Sequence, residues 1–135
     1  MMARQRGRTA GCTRRQAAER LAQAKTYLDA AELVADDGEF AGVTAALAVL
    51  SGIASSDAAC ARLGEHHRGQ DHRGAVDLLG TVAPGGAEMA RDLQRLLDRK
   101  DDAHYGISGV SSADERRMIM WAQRLHTRAK IAFEA

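Results

Sequence analysis

The amino-acid sequence predicts an all-α fold, a compact up-and-down bundle of four to five helices. Three observations predict it. The 135-residue chain suits one domain with one sizeable core. Its composition favours strong helix formers and includes a single proline. Apolar residues recur in steps of three and four, the period of helices packed on a core.

Glycine, proline and capping residues divide the chain into five helical segments. The first begins after its cap Thr13 and ends near Asp36, and the last begins at a capping box formed by Ser112 and Glu115. The segments between them cover about residues 41–64, 72–82 and 87–103. In the second helix, the apolar stripe predicted to face inward is Val43, Leu47, Leu50, Ala54, Ala58 and Ala61. No strand is expected, and short connections predict antiparallel neighbours.

The predicted domain organisation is a basic, flexible arm over residues 1–12 and one helical-bundle domain over residues 13–135. The net charge of +1 gives the whole molecule no electrostatic preference for nucleic acid. The first twenty residues, however, contain one acid, Glu19, and six arginines: Arg4, Arg6, Arg8, Arg14, Arg15 and Arg20. Such an arm either binds phosphate backbones without sequence preference or is simply a solvated terminus.

Cysteine usage and hydropathy predict a cytoplasmic protein without cofactor, metal or membrane contact. Cys12 and Cys60 lack zinc-type spacing and fit a reducing compartment. No apolar run of membrane-spanning length is expected, and the arginine-rich start lacks the apolar region of a secretory signal. A polar loop contains potential metal ligands, although a solvated turn is the favoured interpretation: His66, His67, Asp71 and His72.

Asp57 falls on the predicted inward face of the second helix. A buried carboxylate is costly unless it is paired, so we expect an arginine or histidine partner from another helix. A structural ion pair, a position at the edge of the stripe and a functional role all remain open.

The segment from Arg99 to Gly106 contains Arg99 and His104 with four residues between them, ahead of a capped final helix. In this context it resembles the HEPN family of all-α, nucleic-acid- and nucleotide-handling domains, whose hallmark is Arg, four to six residues, then His. The matching context covers roughly residues 87–132. Lys100 stands where many active members carry Asn, Asp or His. Arg62 and His67 repeat the spacing elsewhere.

The resemblance implies a metal-independent endoribonuclease acting in a toxin, defence or stress system, with a cognate antitoxin or regulatory protein as a possible partner. It implies that His104 is the general acid or base and that Arg99 binds the phosphate. Asp57 or Asp102 would orient these groups, while Tyr105 or Lys100 would contact RNA.

Helical geometry constrains that interpretation, because residues five apart point about 140° from each other. Either the helix is broken near Asp101–Gly106, or two copies meet in a homodimer, the arrangement that the resemblance favours. The alternatives are a non-catalytic HEPN-type module that binds RNA, nucleotide or a partner protein, and a plain helical adaptor.

Overall fold

A computed structural model of the chain describes residues 9–36, 39–67, 72–105 and 110–135. The predicted all-α bundle is confirmed, with five helices in the described part of the chain. They are α1 (Arg14–Ala35), α2 (Ala41–Cys60), α3 (His72–Gly80), α4 (Gly86–Tyr105) and α5 (Ser112–Glu134). A single turn of 3₁₀ helix, Ala61–Leu63, extends α2.

The cap of α1 is the predicted one, whereas the cap of α5 lies one residue earlier than expected. Thr13 and Gln16 form a capping box at the start of α1. At α5 the box joins Ser111 and Asp114, not Ser112 and Glu115. The extended backbone of Ser111 (φ −83°, ψ 166°) brings its hydroxyl to the Asp114 amide at 3.1 Å, and Glu115 is buried instead. The first-turn acid still satisfies exposed backbone donors, as a capping box requires.

A short antiparallel ribbon corrects the expectation of no strands. Strand β1 (Thr9–Gly11) pairs with β2 (Glu65–His67), and the Cys12 amide donates to the Gly64 carbonyl at 3.0 Å. Residues 9–12 are therefore fixed against the bundle and do not belong to a flexible arm; residues 1–8 lie outside the described part. Strands of three residues are too short for an alternating pattern to reveal them.

Helix α2 is the central helix, packed against α1, α4 and α5. The predicted inward stripe is wrong at Val43 and Leu50, which are 50% and 43% exposed. Small residues form the buried face: Thr44, Ala45, Ala48, Ser51, Gly52, Ser55 and Ala59. Because α2 has neighbours on three sides, small side chains let them approach, and the largest apolar residues do not mark the inward face. A Cβ on Gly52 would lie 2.6 Å from Leu96 Cδ1.

The segment Ala41–Leu63 also corrects the expectation about apolar runs. By length and composition alone, this stretch of 23 residues is apolar enough to cross a membrane. However, 67% of its most apolar window is buried against the other helices, as in the core helix of a soluble protein.

The bundle has two distinct ends. Helices α2 and α5 run in the same direction, because Gly52 faces Leu125 and Arg62 donates to the Ala135 carbonyl at 2.7 Å. We call the end where α5 begins the capped end, and the end where α5 finishes the ribbon end. They are roughly 34 Å apart, the length of a 23-residue helix. Helix α4 runs antiparallel to α5, since Arg99 pairs with Asp114 at the capped end.

Candidate nucleic-acid interface

Arginines from two helices line the shared outer edge of α4 and α5. We call this surface the arginine strip. It comprises Arg91, Arg95 and Arg99 on α4, Arg117, Arg124 and Arg128 on α5, and the acids Glu88, Asp92 and Asp114. Six arginines and three acids leave a formal charge of +3. The strip therefore concentrates positive charge that the net charge of the whole chain hides.

Asp114 organises the capped end of the strip. Its Oδ2 accepts from Arg99 Nη2 at 2.8 Å and from the Ser111 amide at 3.3 Å, and its Oδ1 accepts from Arg117 Nη1 at 3.3 Å. Partial burial of the carboxyl opposes ionisation. The Ser111 hydrogen bonds and the charges of Arg99 and Arg117 outweigh it, so the pKa of Asp114 lies below its ordinary value. The carboxylate stays charged and holds both arginines.

Asp92 organises the middle of the strip from a buried position, 2% exposed. Arg124 donates to both carboxylate oxygens, from Nη2 at 2.7 Å and from Nε at 3.3 Å. Arg95 Nη1 lies 3.3 Å from Oδ1, and Arg128 Nη1 lies 3.8 Å from Oδ2. The hydrogen bonds from Arg124 to Asp92, opposed by partial burial, raise the pKa of that guanidinium. One buried acid thus anchors arginines from two helices.

A cleft of about 180 Å³ opens beside Asp92. Its lining is Glu88, Arg91, Asp92, Arg95, Arg124 and Arg128. Within the described ranges, Arg91 has no ion-pair partner. The Arg95 guanidinium lies 6.0 Å above the centre of the half-buried Trp121 ring, a cation–π contact that helps to fix its position. Guanidinium groups around a small opening are typical of a site for an anion.

The structure describes the side chains of only some of the predicted motif residues. Arg99 lies at the capped end of the strip, held by Asp114, with Lys100 half-buried beside it in sequence. Helix α4 continues unbroken through Tyr105, so positions 99 and 104 lie about 140° apart around its axis. A helix break between them is excluded. The side chains predicted to act with Arg99 lie outside the described part: Asp102, His104 and Tyr105.

Asp57 pairs with an arginine from another helix, one of the two partner types that the sequence predicted. Arg20 on α1 donates to Asp57 Oδ2 from Nε at 3.0 Å and from Nη2 at 2.7 Å. The pair lies near the ribbon end, one turn before Arg62, whereas Arg99 lies at the capped end. Within one chain, Asp57 therefore does not orient Arg99, and the structure assigns it an ion pair between α1 and α2.

In the second copy of the motif, Arg62 and His67, the arginine has a structural role. Arg62 donates to the carbonyls of Ala83 and Ala135, at 3.4 and 2.7 Å, and ties α5 to the loop before α4. The side chains of the potential metal ligands lie outside the described part: His66, His67, Asp71 and His72. Among the side chains that are described, no group of three ligating residues could hold a metal.

Three further reactive side chains in the described part of the chain are buried or half-buried: Cys12, Cys60 and His126. Burial raises the pKa of the Cys60 thiol to about 12, with the nearby Asp57 charge adding to the effect, and burial likewise raises that of Cys12. The Cys60 thiol is therefore not a nucleophile near neutral pH, and the shift at Cys12 disfavours its thiolate. Burial lowers the pKa of His126, and the charges of Lys25 and Lys130 lower it further. His126 is therefore a neutral packing residue.

Sequence reasoning missed the arginine strip because its residues come from two helices that are distant in the chain. Asp92 and Arg124, for example, are 32 residues apart. Two signals were present. Asp92 interrupts the apolar stripe of α4, and arginines stand four apart on both helices. No protein-family model and no curated protein matches this chain. The functional argument therefore depends on the charge and geometry of the strip.

Proposed function

We propose that this protein is a cytoplasmic helical module that binds RNA through the arginine strip. The observation that carries the proposal is a row of six arginines, three on each of two packed helices, with a formal charge of +3. The near-neutral net charge makes this clustering informative, because the charge of the whole chain does not by itself require a positive surface here. This function corresponds to the non-catalytic alternative raised by the HEPN resemblance.

The strip has the features that phosphate binding requires. Guanidinium groups match phosphate oxygens with paired donors. Asp92 and Asp114 hold five of the six arginines on rigid helices, so little side-chain entropy is lost when a phosphate binds. The Arg95 guanidinium also lies over the Trp121 ring, a cation–π contact that helps to hold this arginine in place. The expected ligand is single-stranded RNA bound mainly by its backbone.

The direct test is fluorescence anisotropy with a labelled, mixed-sequence single-stranded RNA at several salt concentrations. Neutralising about three phosphates predicts a slope of log K against log salt near about −2. The double variant Arg91→Gln/Arg128→Gln should weaken binding at least about tenfold, since each charged contact contributes on the order of one factor of ten.

The matched control is Lys130→Gln, which removes an exposed positive charge of α5 that lies outside the arginine strip. Its affinity should equal that of the wild type. Equal affinity of the strip variant and the control would contradict the proposal. An absence of RNA binding by the wild type would leave the plain helical adaptor as the better description.

We also propose a second function, metal-independent RNA cleavage at a two-fold composite site. Two observations favour it. Because α4 is unbroken between positions 99 and 104, two copies of the motif are needed to converge on one phosphate. An apolar stripe on α2, defined as Phe40, Val43, Leu47 and Leu50, is largely exposed near the capped end and fits a dimer face.

In that site, a ribose 2′-oxygen would attack the adjacent phosphorus and the 5′-oxygen would leave, giving a 2′,3′-cyclic phosphate. His104 of one copy would take the 2′-OH proton or protonate the leaving oxygen, and Arg99 would neutralise the developing charge. Such an enzyme fits a toxin, defence or stress system with a cognate antitoxin or regulator. Binding ranks first because Arg99 is already paired with Asp114.

Cleavage of a labelled RNA pool in EDTA tests the second function. Wild type is compared with Arg99→Ala and His104→Ala, and His126→Gln serves as a control histidine outside the motif. Cyclic-phosphate ends that appear with wild type and the control, and disappear in both motif variants, would support the ribonuclease. RNA that is bound but left intact would reject cleavage and keep the binding function.

A further inference from the structure

The cleft beside Asp92 differs from the rest of the arginine strip in shape and charge. Four arginines from two helices converge on it: Arg91, Arg95, Arg124 and Arg128. We propose that this cleft binds a phosphomonoester, the terminal phosphate of an RNA strand. The inference rests on the proposed RNA-binding function, since the strand would continue from the cleft along the strip.

Charge balance favours a terminal phosphate over an internal one. The four arginines, offset by Asp92 and Glu88, leave a formal charge of +2 around the cleft. A phosphomonoester carries about −1.5 to −2 near pH 7, whereas a phosphodiester carries a single negative charge. The cleft therefore neutralises a terminal phosphate fully and has an excess of positive charge around an internal one.

The size of the cleft also suits a terminal phosphate. A volume of about 180 Å³ accommodates a phosphate group together with several waters. Sites for whole small molecules are larger, on the order of 300–1,000 Å³. A phosphodiester carries a sugar on each side, while a terminal phosphate has one sugar to accommodate.

The arginines are positioned before the ligand arrives. Asp92 forms the floor, with its side chain 3% exposed, and engages Arg124, Arg95 and Arg128. Those side chains remain 38–44% exposed, so their donors still reach the open side of the cleft. Arg91 stands at the rim with no ion-pair partner in the described ranges. Asp92 is thus a positioning residue, and the arginines contact the phosphate.

The test compares one RNA octamer in three forms, with a 5′-phosphate, with a 3′-phosphate, or with hydroxyl groups at both ends. Affinities are measured by isothermal titration calorimetry at fixed salt. The wild type should bind one phosphorylated form about tenfold more tightly than the hydroxyl form. Arg128→Gln, whose ion pair with Asp92 is long, and Arg91→Gln, which breaks no ion pair within the described residues, should reduce that preference to within about twofold.

Arg117→Gln, at the other end of the strip, is the matched control. It should weaken binding of all three RNAs about equally and keep the preference for the phosphorylated end. Asp92→Asn should reduce the preference while retaining part of the affinity for the hydroxyl form, a pattern that unfolding would not produce. Far-UV circular dichroism of each variant confirms the fold.

The outcomes separate this inference from the function on which it rests. Equal binding of phosphorylated and hydroxyl RNA by the wild type overturns the terminal-phosphate site and keeps the RNA-binding function. A titration with adenosine 5′-monophosphate tests whether the cleft binds a phosphomonoester even when the RNA octamers do not bind. Binding of the mononucleotide that is lost in Arg128→Gln, without binding of the octamers, supports the cleft and rejects the RNA function. Binding of neither ligand overturns both.

Discussion

Asp92 and Asp114 show how a single carboxylate can set the behaviour of several arginines. Each accepts from arginines of both α4 and α5. Asp92 is buried and Asp114 is half-buried, so their charges are screened less than those of surface pairs such as Lys25–Asp29. The two acids therefore lock α4 to α5 and fix the geometry of the strip at the same time.

Asp114→Asn tests this role through pH. The folded-state pKa of Asp114 lies below its ordinary 3.8, so the charge stabilises the fold above that pH and the contribution disappears as pH falls through the folded-state value. At pH 7 the variant should lose about 1–2 kcal/mol of unfolding free energy. The difference from wild type should shrink below about pH 4.

Urea denaturation at pH 7, 5 and 3 measures that difference. Asp29→Asn is the control, because its ion pair with Lys25 is exposed on α1 and should change stability by less than about 0.5 kcal/mol. A pH-independent loss in Asp114→Asn would mean that the carboxylate acts by shape alone.

At the scale of one element, α2 shows what its small residues accomplish. Gly52 faces Leu96 and Leu125, and Ser51 donates to the Ala24 carbonyl at 2.8 Å. Glycine within a helix costs about 1 kcal/mol relative to alanine. Here its missing side chain lets α2 approach α4 and α5, which are themselves joined by the arginine strip. The intrinsic helix propensity at Gly52 is low, and the packing of α2 against its neighbours stabilises the helix.

The variant Gly52→Ala separates those two effects. A new Cβ would lie 2.6 Å from Leu96 Cδ1, and the buried leucine must shift, so overpacking of about 1–3 kcal/mol outweighs the gain in helix propensity. Gly42→Ala in the same helix meets nothing within 4 Å and should be neutral or stabilising by up to about 1 kcal/mol. Thermal unfolding of both variants decides; a stabilised Gly52→Ala would contradict close packing here.

At this scale, the features that the sequence predicted correctly are those that depend on local chemistry. The Thr13 cap, the helix order and the arginine partner of Asp57 were all predictable because each depends on neighbouring residues or on one strong electrostatic requirement. The exposure of Val43 and Leu50 was not, since it depends on how many helices surround α2. The Arg99–His104 motif remains a prediction, while the Asp92 cluster needed the packing of α4 on α5.

For the whole molecule, the apolar stripe on α2 predicts self-association. Phe40, Val43 and Leu50 are 43–50% exposed and lie on one helical face near the capped end, level with Arg99. A two-fold contact there would bring two copies of the motif to the same end of the assembly. This arrangement is the one that the composite cleavage site requires.

Sedimentation velocity at tens of micromolar tests the dimer. The wild type should sediment as a dimer and Val43→Lys/Leu50→Lys as a folded monomer, because a charge on the stripe opposes burial. Ile131→Lys, which changes a residue 55% exposed near the ribbon end, should remain dimeric. A wild type that is strictly monomeric would rule out the composite site and leave the arginine strip unaffected.

The ribbon of β1 and β2 has a consequence for the order in which the chain folds. Its partners Thr9 and His67 are 58 residues apart, and closing such a loop from the unfolded state costs about 3–4 kcal/mol in chain entropy. Six residues of strand supply little to offset that cost. Once α1 and α2 pack together, the two segments already lie side by side and pairing is inexpensive. The helical hairpin therefore forms first, and the ribbon closes over it late in folding.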